Sequence, residues 1–135
     1  MSTSKVTYLG GLRTQNQHIK SGGEYYTDAP VDNRGKGEAF SPTDTVATGL
    51  ANCMLTVMGI KATDMGVNMD GSYAEVTKVM AADPRRISEI HVELFMPADL
   101  DHKTRTILTR TAETCPVHYS LHPDINKQVN FHWEL

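Results

Sequence analysis

The sequence predicts an α+β fold in which antiparallel strands flank one long central helix. Three features of its 135 residues predict this fold. The N-terminal part is rich in strand-favouring residues punctuated by glycine pairs, the middle holds a long helical segment, and the remainder mixes strands with short helices. Hairpin-like connections of this kind favour α+β over a doubly wound sheet. No repeat or linker divides the chain, so a single domain spanning residues 1–135 is expected.

The first strands are expected between Lys5 and Asp28. Glycine pairs at 10–11 and 22–23 are turn signals within this segment, because glycine readily adopts the positive φ that tight turns need. Residues 29–40 combine a proline with glycines and mixed charges, which is typical of a loop.

A long helix is expected to follow this loop. Ser41 can act as its N-cap, Pro42 suits the first helical position, and Asp44 stands where the acid of a capping box belongs. The helix should continue to about Met65 and end at Gly66.

One face of this helix carries Cys53. At about 100° per residue, several apolar residues fall within roughly 60° of this cysteine. They are Val46, Gly49, Leu50, Val57 and Ile60. The pattern predicts that Cys53 lies in the middle of the buried face, with room for it left by the glycine one turn earlier.

The C-terminal part predicts two adjacent strands, two short helices and a last strand. The expected segments are a strand over 72–82, a turn over 83–86, a strand over 87–96, a helix from Asp99 or Asp101 through Ala112, a helical turn from Pro116 through Leu121, and a strand over 128–133. Alternate residues from Ile90 to Met96 should form the buried face of the second strand.

Composition narrows the functional classes. The net charge is −3 and the basic residues are scattered, which argues against a nucleic-acid-binding surface. No segment approaches the roughly 20 apolar residues of a membrane span, and the N-terminus lacks the apolar core of a signal peptide. We therefore expect a cytoplasmic protein without a membrane partner. Its two cysteines then favour a catalytic, redox-sensing or inert role over a structural disulfide.

The two cysteines differ in their local surroundings. Cys115 precedes Pro116 and should occupy a helix N-cap, where unpaired N–H groups lower the pKa of a thiol. Cys53 lies about twelve residues into its helix, where the dipole contributes little. It would need a side-chain cation, and Arg13, Arg34 and Lys36 are candidates. Local sequence therefore makes Cys115 the better candidate for a reactive thiol.

Two other interpretations stay open at this point. A free cysteine on an apolar helix face is commonly a small buried hydrophobe. Cys115, His118 and His122 also have part of the spacing of a zinc site, which would suit a metal-dependent hydrolase.

Two segments resemble the cysteine motifs of the OsmC/Ohr family, which comprises osmotically inducible protein C and the organic hydroperoxide resistance proteins. The first is Ser-Pro-Thr-Asp at 41–44, followed by Gly-Leu-Ala-Asn-Cys-Met at 49–54. The second is Glu-Thr-Cys-Pro-Val-His at 113–118, followed by Ser-Leu at 120–121. The resemblance extends to the terminal Phe-His-Trp-Glu at 131–134 and covers nearly the whole chain.

The resemblance implies an intertwined homodimer with bent antiparallel sheets around long central helices and with active sites at the dimer interface. It implies that Cys53 is the peroxidatic cysteine and Cys115 the resolving one, joined as a disulfide during turnover. The implied substrates are organic hydroperoxides and, as an open alternative, hydrogen peroxide. The implied reductant is a dithiol such as a lipoylated protein, and no cofactor or metal is implied.

The family also uses an arginine to activate the thiolate and a glutamate to orient that arginine. Arg13 matches the arginine best, but Thr43 stands at the usual place of the glutamate. Glu38 and Asp44 are the candidate substitutes. Asp44 points about 180° away from Cys53 and lies some 13 Å along the helix, so it could act only across a dimer interface or else serve as a helix cap.

A missing glutamate also leaves room for a different class of function, a non-catalytic redox or small-ligand-binding module. Met54, Met58 and Met65 could line an adaptable apolar cavity in such a protein, although core packing is the simpler role for methionines.

Overall fold

A computed structural model describes all 135 residues, and the chain divides into two compact units. The first comprises residues 1–46 and the second residues 47–135. In chain order the elements are β1 (Ser4–Gly10), β2 (Arg13–His18), β3 (Glu24–Asp28), α1 (Pro42–Met65), β4 (Tyr73–Ala81), β5 (Arg86–Met96), α2 (His102–Ala112), α3 (Pro116–Ser120) and β6 (Asn126–Trp133). Two three-stranded sheets combined with helices confirm the predicted α+β class.

The first unit contains the antiparallel sheet β1-β2-β3. Gly10, Gly11 and Gly22 have positive φ, so the turns lie where the glycine pairs predict them. The register between β2 and β3 sets Arg13 directly opposite Asp28. Two oppositely charged side chains therefore meet at one end of this sheet.

The loop over 29–40 folds back on itself and contains a short 3₁₀ turn over 31–33. The amide of Gly35 donates to the carbonyl of Pro30 at 2.9 Å, and the amide of Asp28 donates to the carbonyl of Phe40 at 3.0 Å. A Cβ atom at position 35 would overlap the carbonyl of Ala29, so only glycine fits there. The loop thus closes on the end of β3.

The predicted capping box opens α1. The backbone amide of Ser41 donates to the Asp44 carboxylate at 2.9 Å, and the amide of Asp44 donates to the Ser41 hydroxyl at 3.0 Å. At the other end Gly66 has a φ of 68°, and the amide of Val67 donates to the carbonyl of Ala62 at 3.0 Å. Both predicted ends of the helix are confirmed.

The buried face of α1 differs from the predicted one. It consists of Ala47, Leu50, Ala51, Met54, Met58 and Ala62. Cys53 is only partly buried, and Ile60 on its side of the helix is 60% exposed. The helix is apolar on both sides, so a helical-wheel projection of the sequence does not show which side packs against the rest of the chain. The prediction that Cys53 lies in the middle of the buried face is therefore wrong within this chain.

The same apolar character corrects a second expectation. An 18-residue window within α1 has a mean hydropathy of 1.2, so the helix could cross a membrane by length and composition alone. Such a helix also occurs in the cores of soluble proteins, and one side of α1 contributes to the core here. Length and hydropathy are weak evidence for a span in this case.

The second unit contains the sheet β4-β5-β6. Ile90, Val92, Leu94 and Met96 are fully buried, which confirms the predicted face of β5. Asp101 caps α2 by accepting from the amide of Thr104 at 2.8 Å. One detail departs from the antiparallel arrangement, because β6 runs parallel to β5. The intervening α2 and α3 supply the crossover that a parallel pair requires.

Candidate functional site: a cysteine pair and an arginine–carboxylate pair

Cys53 lies at the middle of α1 and is partly buried. It packs against the core cluster that contains Cys115, and it lies close enough to Cys115 to raise the pKa of that thiol. Both cysteines are free. The structure thus brings together two residues that are far apart in sequence and that the motifs predict to work as a pair.

Cys115 occupies the N-cap of α3, as the sequence predicts. Its sulfur accepts a hydrogen bond from the amide of His118 at 3.3 Å. Pro116 takes the first helical position, where a missing N–H costs no hydrogen bond. The side chain is fully buried, in contrast to that of Cys53.

Burial raises the pKa of the Cys115 thiol, because a thiolate there would lose its hydration. The hydrogen bond from the His118 amide lowers this pKa, and the neighbouring Cys53 thiol raises it, with a net upward shift. The expectation of a depressed pKa for Cys115 is therefore wrong, since desolvation outweighs the N-terminus of a five-residue helix. At neutral pH Cys115 keeps its proton and can donate it in a hydrogen bond to Cys53.

Arg13 in the first unit makes a bidentate ion pair with Asp28. Its Nε donates to Oδ1 at 2.7 Å and its Nη2 donates to Oδ2 at 2.8 Å. Arg13 lowers the pKa of Asp28 chiefly through this side-chain hydrogen bond, and Asp28 in turn raises the pKa of Arg13. This end of the first sheet therefore holds an arginine cation beside an ionised carboxylate.

The two candidate substitute acids behave differently. Glu38 lies 3.9 Å from Nη2 of Arg13 with a side chain that is 64% exposed. Asp44 completes the capping box of α1, which confirms its expected structural role. Asp28 is the acid that sequence reasoning missed, although its place opposite Arg13 follows once the strand register is known.

The other candidate cations and ligands are less well placed. Arg34 and Lys36 are exposed residues of the loop. Nδ1 of His122 accepts from the amide of Asp124 at 3.0 Å. The structure contains no group of three or more His, Cys, Asp or Glu side chains that could hold a metal ion, so the hydrolase hypothesis lacks a ligand set.

The methionines considered as a cavity lining serve mainly in the core. Met54 and Met58 are fully buried. A surface groove of about 580 Å³ lies at the end of α1, between residues 56 and 70. None of Met54, Met58 and Met65 lines this groove. The structure therefore favours core packing for Met54 and Met58.

Comparison with known proteins places this fold and cysteine pair in a family. The family model described as OsmC-like protein matches residues 35–130. The chain belongs to this OsmC/Ohr family. No curated protein matches the chain in a sequence comparison.

Solved structures agree with that assignment. A Psychrobacter arcticus protein, described as an osmotic stress induced and detoxification response protein, is 61% identical with a TM-score of 0.95, over 98% of this chain and 96% of that one. An organic hydroperoxide resistance protein OsmC from Legionella pneumophila is 15% identical with a TM-score of 0.75, covering 98% of both chains. A Vibrio cholerae protein described as an organic hydroperoxide resistance protein, with captopril in one of its active sites, is 17% identical with a TM-score of 0.74, over 100% of this chain and 94% of that one. The last two show a shared fold.

Proposed function

We propose that this protein is a cysteine-based thiol peroxidase that reduces organic hydroperoxides. The observation that carries the proposal is that two free thiols, Cys53 and Cys115, are neighbours in one packed cluster inside an OsmC-like fold. Two similar structures are those of proteins described as organic hydroperoxide resistance proteins. Hydrogen peroxide is a second candidate substrate, to be compared with organic hydroperoxides.

In the first step the Cys53 thiolate attacks the terminal oxygen of the hydroperoxide. The O–O bond breaks, the sulfur becomes a sulfenic acid, and the alkoxide takes a proton and leaves as an alcohol. Cys53 suits this role because it is more exposed than Cys115. Its neighbour, which keeps its proton, can stabilise the Cys53 thiolate through an S–H hydrogen bond.

In the second step Cys115 attacks the sulfenic sulfur. An S–S bond forms to Cys53 and the hydroxyl leaves as water. A dithiol, with lipoylated protein as the proposed donor, then reduces the disulfide by exchange and is itself oxidised to a disulfide. The cycle uses two electrons from the donor for each hydroperoxide and needs no bound cofactor.

Arg13 is the proposed cation that favours the Cys53 thiolate. A cysteine in the interior of a helix gains little from the helix dipole, so a side-chain charge has to supply the positive potential. Nη1 of Arg13 makes no hydrogen bond, whereas Nε and Nη2 are both engaged by Asp28. The guanidinium therefore keeps a free donor for an anionic partner.

The working unit is proposed to be a homodimer with its active sites at the interface. Val46 and Ile60 leave an apolar strip exposed on the Cys53 side of α1, with exposures of 44% and 60%. A second copy of the chain would cover this strip and enclose the peroxidatic thiol. We also propose that residues 1–135 form a single domain and that the protein is cytoplasmic.

Stopped-flow mixing of the reduced protein with cumene hydroperoxide tests the peroxidase activity. Thiol consumption should be far faster than that of free cysteine at the same pH, and peptide mapping after one equivalent should find Cys53 linked to Cys115. The proposal fails if the thiols react no faster than free cysteine.

A further inference from the structure

The five-residue helix α3 is held at its start by the sulfur of Cys115. That sulfur accepts from the backbone amide of His118 at 3.3 Å. The amide of Tyr119 donates to the carbonyl of Cys115 at 3.3 Å, and the amide of Leu121 donates to the carbonyl of Val117 at 3.0 Å. None of the residues of α3 is buried. Because so short a helix is only marginally stable by itself, its N-cap contributes much of what keeps it ordered.

The same helix lies beside the cysteine pair. Val117 and Leu121 pack against the core cluster that contains Cys115, and Cys53 packs against that cluster from α1. The Cys115 side chain is fully buried. The helix α3 therefore helps to shield the thiol that also caps it.

A disulfide would place a second demand on the Cys115 sulfur. Bonded sulfurs lie much closer together than unbonded atoms can, so at least one sulfur has to move when the bond to Cys53 forms. A capping atom has to stay in line with one particular amide, because hydrogen bonds weaken steeply with angle. A sulfur in a disulfide also cannot become an anion, which would be the stronger acceptor.

The two sides of the pair differ in how easily they can move. Cys53 lies at the middle of the 24-residue helix α1, and its neighbours Leu50, Ala51 and Met54 are buried in the core. Cys115 begins a five-residue helix without a buried side chain. The displacement therefore falls on Cys115 and on the start of α3, since an element with few buried contacts opens most easily.

We propose that α3 is a redox switch, which is folded while Cys53 and Cys115 are thiols and loosens once they form a disulfide. Formation of the S–S bond removes two protons and two electrons from the pair, and a hydroperoxide takes them up as it is reduced to an alcohol and water. The Cys115 sulfur then leaves the amide of His118. The loosened helix uncovers the Cys115 side of the disulfide, through which a dithiol donor reaches the bond. The inference rests on the proposed function in one respect, that the two cysteines form a disulfide with each other.

Amide hydrogen exchange followed by NMR tests the switch, with diamide as the oxidant. Diamide itself takes up the protons and electrons of the two thiols, so the test needs no peroxidase activity. The His118 amide should exchange at least roughly fivefold faster in the disulfide form than in the dithiol form. The matched control is the amide of Thr104, which donates to the N-cap Asp101 of α2 at 2.8 Å and should exchange equally fast in both forms.

Two substitutions at Cys115 separate the loss of the cap from the formation of the bond. Cys115→Ala removes the cap without a disulfide, so its His118 amide should exchange as fast as in the oxidised wild type. Cys115→Ser keeps an N-cap acceptor, so its His118 amide should stay protected with or without diamide. Exchange in Cys115→Ala equal to that of the reduced wild type would show that the sulfur does not hold α3, and would overturn the inference.

The opening of α3 is also measurable at the thiol itself. In the Cys53→Ser protein Cys115 is the only cysteine, so alkylation by iodoacetamide reports the exposure of that thiol alone. Tyr119 is 72% exposed, so its replacement perturbs the helix and not the core. Adding Tyr119→Gly should give alkylation roughly fivefold faster than adding Tyr119→Ala, because glycine destabilises a helix relative to alanine. Equal rates would overturn the inference that α3 covers Cys115.

The failure of this inference and the failure of the peroxidase proposal give different results. If the thiols react with cumene hydroperoxide no faster than free cysteine but diamide loosens α3, the peroxidase proposal fails and the switch is supported. If hydroperoxide is consumed rapidly and the disulfide forms while the His118 amide stays protected, the switch is overturned and the peroxidase proposal is supported. If diamide does not link Cys53 to Cys115, the switch is likewise overturned.

Discussion

The start of α3 and the middle of α1 each carry a cysteine, and the two places illustrate opposite balances of the same forces. Cys115 lies at a helix N-terminus, where its sulfur accepts a hydrogen bond from a backbone amide. It is nevertheless fully buried, and its pKa is raised. Cys53 has no such amide but is more exposed. The difference teaches that desolvation can outweigh a favourable helix terminus when the helix is short.

The largest expected effect is on hydroperoxide consumption, which substitution of Cys53 and of Cys115 should change in different ways. Cys53→Ser should abolish fast hydroperoxide consumption, because the attacking sulfur is gone. Cys115→Ser should keep the first oxidation and accumulate a sulfenic acid that a dimedone probe traps. Stopped-flow traces combined with mass spectrometry of the trapped adduct measure both.

If Cys115→Ser alone stopped the initial oxidation, the assignment of the two thiols would be inverted. The buried thiol, and not the more exposed one, would then be the first to react.

The second largest effect is a difference in the free energy of unfolding between variants on the two sides of α1. Met54→Ala removes a fully buried side chain and should lower the free energy of unfolding by about 2–5 kcal/mol. Ile60→Ala, at a side chain that is 60% exposed, should change it far less in a monomer. Urea denaturation measures both variants.

The concentration dependence of the same transitions refines this comparison. If the Cys53 side of α1 is covered by a second copy, Ile60→Ala should weaken dimerisation, seen as a higher dissociation constant in sedimentation. Equal stability losses for both variants at low protein concentration would contradict the observed burial.

The pH dependence of disulfide formation tests the protonation state of Cys115. Because its pKa is raised, the thiolate fraction is small at neutral pH and should grow about tenfold per pH unit until the pKa is reached. Rapid acid quenching after a peroxide pulse measures the sulfenic-to-disulfide step from pH 6 to about 9. A rate that is flat between about pH 6 and 8 would mean that Cys115 is already ionised there.

The smallest expected effect concerns the helix cap. Ser41→Ala removes the hydroxyl that accepts from the amide of Asp44 and should cost about 1 kcal/mol of stability. Thr63→Ala is the control, because its exposed hydroxyl only donates to the carbonyl of Gly59 within the helix. Thermal unfolding should show a larger drop in Tm for Ser41→Ala than for Thr63→Ala. Equal drops in Tm would argue against a stabilising capping box.

Local signals in the sequence determined most of the fold. The glycine pairs, the capping box before Pro42, Gly66 after the helix and the alternating pattern along β5 each act through neighbouring residues, so their predictions are confirmed. The family motifs also identified the two cysteines from sequence, although their roles stay predictions.

Tertiary structure decided what depends on residues far apart in the chain. The parallel register of β6, the choice of the Met54 side of α1 for the core and the packing of Cys53 on the cluster that contains Cys115 all arise from contacts across long separations. Asp28 was missed for the same reason, since only the strand register sets it opposite Arg13. Burial likewise raised the pKa of Cys115 against its local sequence, because desolvation depends on the whole surrounding structure and not on neighbours in the chain.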